Sequence, residues 1–193
     1  MYDAVCLASG GLDSTLCLHL LREQGLQALP VYVNYGQINH SKEWKSLVAS
    51  CSLNGFHKPI RFEFPSFGLV IRSGLTDRRL RVNEDAFTPT RNLLFLVLGG
   101  AVASSKGIKN IVVGLLAERT TIFPDQTDRF LRIAETAVTE SIGTQVRIHC
   151  PLRDLTKQDV LKLGQAKGIT RFYSCHSGTK EPCGKCIACL EYK

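Results

Sequence analysis

Ser9-Gly10-Gly11-Leu12-Asp13-Ser14 lies between the first predicted strand, Asp3–Ala8, and the first predicted helix, Ser14–Glu23. The first backbone N–H groups of a helix are unpaired and carry a partial positive charge. Consecutive glycines let that backbone approach phosphate oxygens closely, and the two serine hydroxyls add hydrogen bonds. This stretch predicts an anion-binding turn of the kind that joins strand to helix in α/β folds.

Asp13 is unexpected in a loop that binds only anions, because its carboxylate would repel phosphate. A divalent cation that bridges the carboxylate and the phosphate removes the conflict, so the loop implies Mg²⁺. The alternative is a tight glycine-rich turn with a Ser or Asp cap. The stretch lacks the Walker A and Gly-x-Gly-x-x-Gly patterns, which excludes kinases and dehydrogenases of those types.

The rest of the chain alternates short apolar runs with segments of helical period, which predicts a doubly wound, mainly parallel sheet of five strands. The further strands are predicted at Ala28–Asn34, Pro59–Phe64, Asn110–Leu115 and Val146–His149. The further helices are predicted at Ser41–Leu53, Thr90–Ser105, Thr127–Ile142 and Thr156–Lys167. Glycines at or just beyond the five predicted helix ends are expected to be C-caps: Gly25, Gly55, Gly107, Gly143 and Gly168. Pro65–Pro89 breaks the alternation and is expected to be an active-site lid, a disordered loop or a solvated surface loop.

Composition and charge narrow the class of protein. The 193 residues are 44% hydrophobic and 21% charged, which excludes a disordered or fibrous chain. A net charge of +7 suits nucleotides or nucleic acid as ligands. No apolar run reaches the roughly 18 residues of a membrane span, and the first residues do not read as a signal peptide. We therefore expect a cytoplasmic protein without membrane contact.

A cluster of cysteines near the end of the sequence predicts a metal site. Cys175, Cys183, Cys186 and Cys189 have the spacing of a tetrahedral four-thiolate site, which leaves no open position and is structural when it holds zinc. An iron–sulfur cluster is the alternative. The expected organisation is an α/β domain over residues 1–170 and a zinc-binding tail over 171–193. Cys6, Cys17, Cys51 and Cys150 are predicted to be buried apolar residues, of which Cys150 alone merits a test of reactivity.

The loop resembles the SGGxDS loop of the PP-loop ATP pyrophosphatases, which adenylate a substrate and release pyrophosphate. Five further segments resemble motifs of the 7-cyano-7-deazaguanine synthases, as does the cysteine tail: Val33–His40, Pro89–Asn92, Val113-Gly114, Phe123-Pro124-Asp125 and Leu155–Lys157. The resemblance covers nearly the whole chain. It implies an enzyme of queuosine biosynthesis that uses ATP and ammonia to convert a deazaguanine carboxylate to an amide and then a nitrile. It also implies structural zinc and a homodimer.

The expected site residues follow from these segments. ATP is expected to contact Ser9, Gly10, Gly11, Leu12, Asp13, Ser14, Tyr35, Gly36, Gln37 and Gly114. Arg91 and Lys157 lie near predicted helix starts at the carboxyl edge of the sheet, where either could neutralise the pyrophosphate. Each could instead be a surface charge at a helix end. Asp125 is expected to hydrogen-bond the guanine-like edge of the substrate or, alternatively, to form a Pro-Asp turn. The four catalytic candidates are thus Asp13, Arg91, Lys157 and Asp125.

One loop departs from the synthase pattern. Ala117–Gln126 contains Phe123 and Gln126 where the family has Tyr and Cys. This favours a second hypothesis, a ligase that adenylates a deazaguanine carboxylate and transfers it to another amine, such as a protein, in a defence system. A third hypothesis is a nucleic-acid-binding or tRNA-modifying zinc protein. The tail offers only Phe172, Tyr173 and Tyr192 for base stacking, so nucleic acid is the less favoured partner.

Overall fold

The computed structural model describes residues 1–120 and 123–192. Its core is a sheet of five parallel strands in the order β3-β2-β1-β4-β5. The strands are β1 (Ala4–Leu7), β2 (Ala28–Asn34), β3 (Ile60–Glu63), β4 (Asn110–Val112) and β5 (Arg147–His149). The predicted α/β class and all five strands are confirmed: β2 has the predicted bounds, and the ends of the other strands differ by at most three residues.

Within the described ranges, seven α-helices accompany the sheet. They are α1 (Leu12–Glu23), α2 (His40–Asn54), α3 (Pro65–Val70), α4 (Arg91–Lys106), α5 (Asp128–Ile142), α6 (Lys157–Ala166) and α7 (Ile187–Leu190). The five glycines predicted as C-caps all have positive φ angles, between +65° and +75°, as such caps require. None of the helices in the described ranges combines the length and apolar character that a membrane span requires.

The helices cover both faces of the sheet, because alternate residues of each buried strand point to opposite faces. Leu16, Leu47 and Val160, from α1, α2 and α6, pack on the face that carries Cys6 and Tyr32. On the other face, helices α4 and α5 bury Leu96, Val102 and Val138 against Val5 and Val31. The order of the strands reverses between β1 and β4, and ligands of doubly wound sheets bind at the carboxyl end of such a switch point.

The segment Pro65–Pro89 is folded, so the expectation of a disordered loop is not met. Its first residues form α3, which the sequence patterns did not predict. The remainder, residues 71–89, is here called the strap. Hydroxyls of Ser73 and Thr88, 2.7 Å apart, tie the ends of the strap together. Leu75 and Ala86, both within the strap, are buried and line a cavity at the carboxyl edge of the sheet, so the strap covers that edge.

Candidate active site

The turn at residues 9–14 packs closely against α2. Gly10 has a φ of +80°, and a Cβ at this position would lie 2.5 Å from the carbonyl oxygen of Glu43. The hydroxyl of Ser14 accepts a hydrogen bond from the Ser9 amide (3.2 Å) and donates one to the Gly11 carbonyl (3.2 Å). Because α1 begins at Leu12, this turn presents the unpaired N–H groups of the helix start at the carboxyl end of β1.

Asp13 and Lys157 are brought together from opposite ends of the chain. The Nζ of Lys157 donates to both carboxylate oxygens of Asp13, at 2.9 and 3.0 Å. It also lies 3.4 Å from Oε2 of Glu191 and 5.3 Å from the centre of the Tyr192 ring. Burial lowers the pKa of Lys157, but the nearby Asp13, Tyr192 and Glu191 outweigh it and the pKa is raised. The ammonium group is therefore charged at neutral pH.

Two adjoining cavities of about 320 and about 300 Å³ open at this edge of the sheet. The residues that line both cavities are Ser9, Asp13, Glu43, Leu75, Arg91, Gly114 and His176. The walls of the first cavity also include Lys157, Phe123, Gln126 and tail residues. The second is also lined by apolar and aromatic side chains from β2, the residues after β2 and β4, and α4, among them Val31, Val33, Tyr35, Phe95 and Val113. The structure thus brings most of the predicted site residues to one place.

Arg91 is the first residue of α4 and lines both cavities. Its guanidinium carbon lies 5.8 Å from the centre of the Tyr35 ring. Its Nε atom is buried without a hydrogen-bond partner among the described residues, so a donor remains for a ligand. Thr90, just before it, has a φ of +62°, a left-handed conformation that is costly for a β-branched residue.

Gln37 and Gly36 shape the site from within. The side-chain oxygen of Gln37 accepts from the Tyr35 amide (2.9 Å), and its nitrogen donates to Tyr32, Val33 and Glu43. Both ends of this amide are thus used inside the chain. Gly36, with a φ of +91°, approaches Pro65 so closely that a Cβ would lie 2.6 Å from its carbonyl oxygen. These contacts give both residues a role in forming the wall.

Asp125 is buried at 7% exposure but lines neither cavity. Both of its carboxylate oxygens are without hydrogen-bond partners among the described residues. Its backbone carbonyl accepts a 3.0 Å hydrogen bond from the Asn92 side chain. The neighbouring Phe123 and Gln126 face the first cavity instead. The loop Ala117–Gln126, which departs from the synthase pattern, also contains Thr121 and Ile122, and these two residues lie outside the described part of the chain.

The four predicted metal ligands converge. The sulfur atoms of Cys175, Cys183, Cys186 and Cys189 all lie within 4.8 Å of one another. Tetrahedral zinc with Zn–S bonds of about 2.3 Å needs sulfurs about 3.8 Å apart, and the Cys183 and Cys189 sulfurs are 3.9 Å apart. The Cys183 amide donates to the Cys175 sulfur at 3.4 Å, a bond that favours a thiolate. Burial raises the pKa of Cys186 to about 12, so a bound cation is needed to hold all four as thiolates. The residues fit a metal ion.

The other cysteines are unsuited to nucleophilic chemistry. Cys6, Cys17 and Cys51 lie in the core, and burial raises the pKa of Cys6 to about 12 and that of Cys51 to about 11. Burial likewise raises the pKa of Cys150 to about 11. Because the thiolate is the reactive form, the raised pKa disfavours nucleophilic chemistry at Cys150.

Comparison with known proteins agrees with this geometry. The family model for "Queuosine biosynthesis protein QueC" matches residues 3–193. The chain belongs to the QueC family. A protein of a Nitratiruptor species named 7-cyano-7-deazaguanine synthase is 29% identical over 199 residues, which cover 96% of this chain and 90% of that protein. The family and the enzyme class predicted from the sequence are confirmed.

Solved structures share the fold of this QueC-family chain at low identity. A structure described as a predicted subunit of tRNA methyltransferase, from Methanocaldococcus jannaschii, superimposes with a TM-score of 0.57 at 14% identity over 86% of this chain and 75% of that one. The U34-tRNA thiolase NcsA from Methanococcus maripaludis, described with its [4Fe-4S] cluster, has a TM-score of 0.57 at 16% identity over 95% of this chain and 61% of that one. These likenesses support the PP-loop-type fold.

Three residues of this QueC-family site were missed by sequence reasoning: Glu43, His176 and Glu191. Glu43 lies in the first turn of α2, the helix that follows β2, so its place at the carboxyl edge of the sheet was a readable signal. His176 and Glu191 lie beside metal-site cysteines, and their approach to Lys157 and Arg91 depends on how the tail packs. No local pattern carries that information.

Proposed function

We propose that the protein adenylates the carboxylate of 7-carboxy-7-deazaguanine with ATP and lets ammonia displace AMP to give the amide. A second adenylation, on the amide oxygen, followed by loss of AMP and protons, gives the nitrile 7-cyano-7-deazaguanine. The observation that carries this proposal is the Asp13–Lys157 pair beside the glycine turn, in a chain of the QueC family. Small molecules are the substrates that two cavities of this size suit.

The two cavities suggest how the substrates divide. The second cavity, with Tyr35, Phe95 and valine side chains, suits the adenosine of ATP. The first, which reaches Phe123, Gln126 and the tail, suits the deazaguanine base. Because the cavities share Ser9, Asp13 and Gly114, the α-phosphate would lie where they meet. There the carboxylate attacks phosphorus and the bond to pyrophosphate breaks.

The charged residues have complementary roles in this scheme. The N–H groups of residues 9–14 hold pyrophosphate oxygens, and Arg91 and Lys157 neutralise the negative charge that develops as pyrophosphate leaves. Asp13 supplies the carboxylate oxygen that Mg²⁺ prefers, and that ion, when bound, reduces the charge of the phosphates. When the nucleotide enters, the Lys157 ammonium group either leaves the Asp13 carboxylate or shares that carboxylate with Mg²⁺.

The cysteine cluster would hold zinc in a structural role. With four thiolate ligands no coordination position remains for substrate. Glu191, two residues after Cys189, forms an ion pair with Lys157. Through this contact, a tail ordered by zinc would close one side of the first cavity. We also propose a homodimer, which light scattering during gel filtration would test.

The test is direct. Purified protein is incubated with ATP, Mg²⁺, ammonium and 7-carboxy-7-deazaguanine, and AMP, pyrophosphate and the base are followed by mass spectrometry. Nitrile formation is expected, and it should be lost in Asp13→Ala. Absence of AMP with the wild-type protein would refute the proposed substrate.

A ligase that uses another amine is a second candidate. Phe123 and Gln126 favour it: they line the first cavity, and they stand where the 7-cyano-7-deazaguanine synthases have Tyr and Cys. The same assay separates the two, because without its own amine, such as a protein, a ligase would release pyrophosphate and stop at the adenylate, or release AMP with ammonia and stop at the amide. The nucleic-acid hypothesis is weakened by Phe172 and Tyr192, which stack on each other with ring centres 5.8 Å apart instead of standing free for bases.

A further inference from the structure

Glu43 is a carboxylate in the cavity walls whose charge has no salt-bridge partner within the described residues. The first cavity is also lined by Asp13 and Glu191, but both of these carboxylates pair with Lys157. Arg91 acts on Glu43 electrostatically without reaching salt-bridge distance. A desolvated carboxylate without a counter-charge is costly and is stabilised by any cation that the cavity admits.

The hydrogen bonds of Glu43 leave one acceptor position. Its Oε2 accepts from the Tyr32 hydroxyl (3.1 Å) and the Gln37 amide (2.9 Å), and its Oε1 accepts from the Asn39 amide (3.0 Å). A carboxylate offers about four acceptor sites. Three donors of the chain therefore fix the orientation of the carboxylate, and one acceptor site remains on Oε1.

We propose that Glu43 binds ammonium as the nitrogen donor and takes up its proton, an inference that rests on the proposed function. Amines are protonated at neutral pH and cannot attack a carbonyl carbon until they lose a proton. Glu43 lines both cavities, so a cation bound there lies beside the proposed meeting point of the two substrates. Its charge attracts ammonium, and the free acceptor site takes one N–H.

The proton of the hydrogen-bonded N–H passes to Glu43 Oε1, and the freed electron pair of nitrogen forms the bond to the carbonyl carbon of the adenylate. The bond between that carbon and the AMP oxygen breaks, and AMP leaves with the electron pair. A second nitrogen proton goes to water, and Glu43 returns its own proton to solvent before the next turnover.

The surroundings of Glu43 suit this exchange of a proton. Burial raises the pKa of Glu43, although hydrogen bonds from Gln37, Tyr32 and Asn39 and the charge of Arg91 lower it in part. A higher pKa makes the carboxylate a stronger base. The titratable and charged groups that face it or share its cavity walls are Tyr32, Tyr35, Arg91, Asp13, Lys157, Tyr173, His176 and Glu191.

The experiment separates adenylation from amine attack. Exchange of pyrophosphate into ATP, dependent on 7-carboxy-7-deazaguanine, measures adenylation without ammonium. Hydroxylamine is uncharged at neutral pH and traps the adenylate as a hydroxamate without needing a cation site. In Glu43→Gln, exchange and hydroxamate formation should persist, whereas the KM for ammonium should rise about 10- to 100-fold, the value of a lost charge-assisted hydrogen bond. Glu140→Gln, the same change at an exposed position on α5, should leave the ammonium KM unaltered.

The pH dependence of the wild-type protein gives a second test, which needs no substituted protein and so does not depend on whether Glu43→Gln folds. If ammonium is the bound form, kcat/KM for total ammonium, divided by the hydroxamate rate, stays nearly level from about pH 6.5 to about pH 8. If free ammonia binds, this ratio climbs about tenfold for each pH unit, which would overturn the inference. An unchanged ammonium KM in Glu43→Gln would do the same. Wild-type protein that shows no exchange would refute the proposed function, and the inference with it.

Discussion

Gly10 sets the distance between the phosphate turn and α2. Gly10→Ala adds conformational strain, because the φ angle of Gly10 is +80°. It also adds a clash with backbone, because the new Cβ would lie 2.5 Å from the Glu43 carbonyl oxygen. We expect the free energy of unfolding to fall by about 2–4 kcal/mol, the sum of the two effects, and ATP affinity to fall with it. Chemical denaturation and calorimetric titration with ATP measure the two changes.

Gly25 provides the matched control for this substitution. It has a φ of +75°, but nothing lies within 4 Å of its Cβ position. Gly25→Ala should therefore cost only the conformational part, about 1 kcal/mol, and leave ATP binding unchanged. Equal losses in the two variants would show that the contact with α2 is unimportant.

Lys157 should matter for catalysis more than for folding. Lys157→Met removes a cation proposed to stabilise departing pyrophosphate, so kcat/KM for ATP should fall about 10²- to 10³-fold in an AMP-release assay. Lys162→Met, at an exposed position on α6, is the control. If both variants kept similar activity, the role given to Lys157 would be wrong.

The pH response of Lys157 follows from the direction of its pKa shift. Its folded-state pKa is raised, so its contribution to stability is present below the unfolded value of about 10.4 and is lost only as pH rises through the folded value. Activity between about pH 6 and about pH 9 should consequently show no titration of this lysine.

A reciprocal pair of hydrogen bonds caps the N-terminus of α6 and thereby fixes the position of Lys157, the first residue of the helix. The Thr156 hydroxyl accepts from the Asp159 amide at 3.3 Å, and the Asp159 carboxylate accepts from the Thr156 amide at 2.8 Å. Thr156→Ala should lower the free energy of unfolding by about 1 kcal/mol and weaken ATP use by displacing Lys157. Thr136→Ala, at an exposed position within α5, should change neither quantity appreciably.

Acid should reduce the difference between wild type and Thr156→Ala. Hydrogen bonds from the Thr156 side chain and backbone lower the pKa of Asp159. Its contribution is therefore present above the unfolded pKa of about 3.9 and disappears as pH falls through the lower folded value. Urea denaturation at neutral and acidic pH checks this, and a constant difference at every pH would contradict it.

The regular elements were predictable because their signals are local. Strand runs, the glycine turn and C-cap glycines such as Gly55 and Gly107 depend on neighbours in sequence. Strand β4 ends at Val112, three residues before the predicted end, since its partner β5 ends at His149. Helix α3 was not predicted because six residues with a central Gly68 carry little helical signal. The burial of Leu75 depends on distant parts of the chain.

At the scale of the whole molecule, the cysteine cluster should determine whether the tail stays folded. We expect about one zinc per chain, as a four-thiolate site holds, and lower thermal stability after chelation. Cys183→Ser should lose the metal and the Glu191 contact with Lys157, which elemental analysis and ATP titration would detect. Cys150→Ser, which changes a cysteine outside the cluster, should retain both the metal and this contact. Iron with a charge-transfer absorption band would instead show the iron–sulfur alternative.

The site itself could be predicted only in part. The residues of the glycine turn, Arg91 and Lys157 were found because each stands at a helix start on the binding edge. His176 was missed because its approach to Arg91 and Lys157 depends on how the tail packs. Glu43 was missed although its hydrogen-bond partners Tyr32, Gln37 and Asn39 all lie within 11 positions of it. Asp125 was expected to contact the substrate base, yet it lines neither cavity.

The ion pair between Asp13 and Lys157 spans 144 positions of sequence. The cavity that it borders also needs tail residues as late as Glu191. Contacts of such long range form late in folding, after the chain has closed its largest loops. A partly synthesised chain that already carries the glycine turn therefore has no complete nucleotide site. Because ATP would bind only the finished fold, it should slow unfolding while leaving the rate of folding almost unchanged.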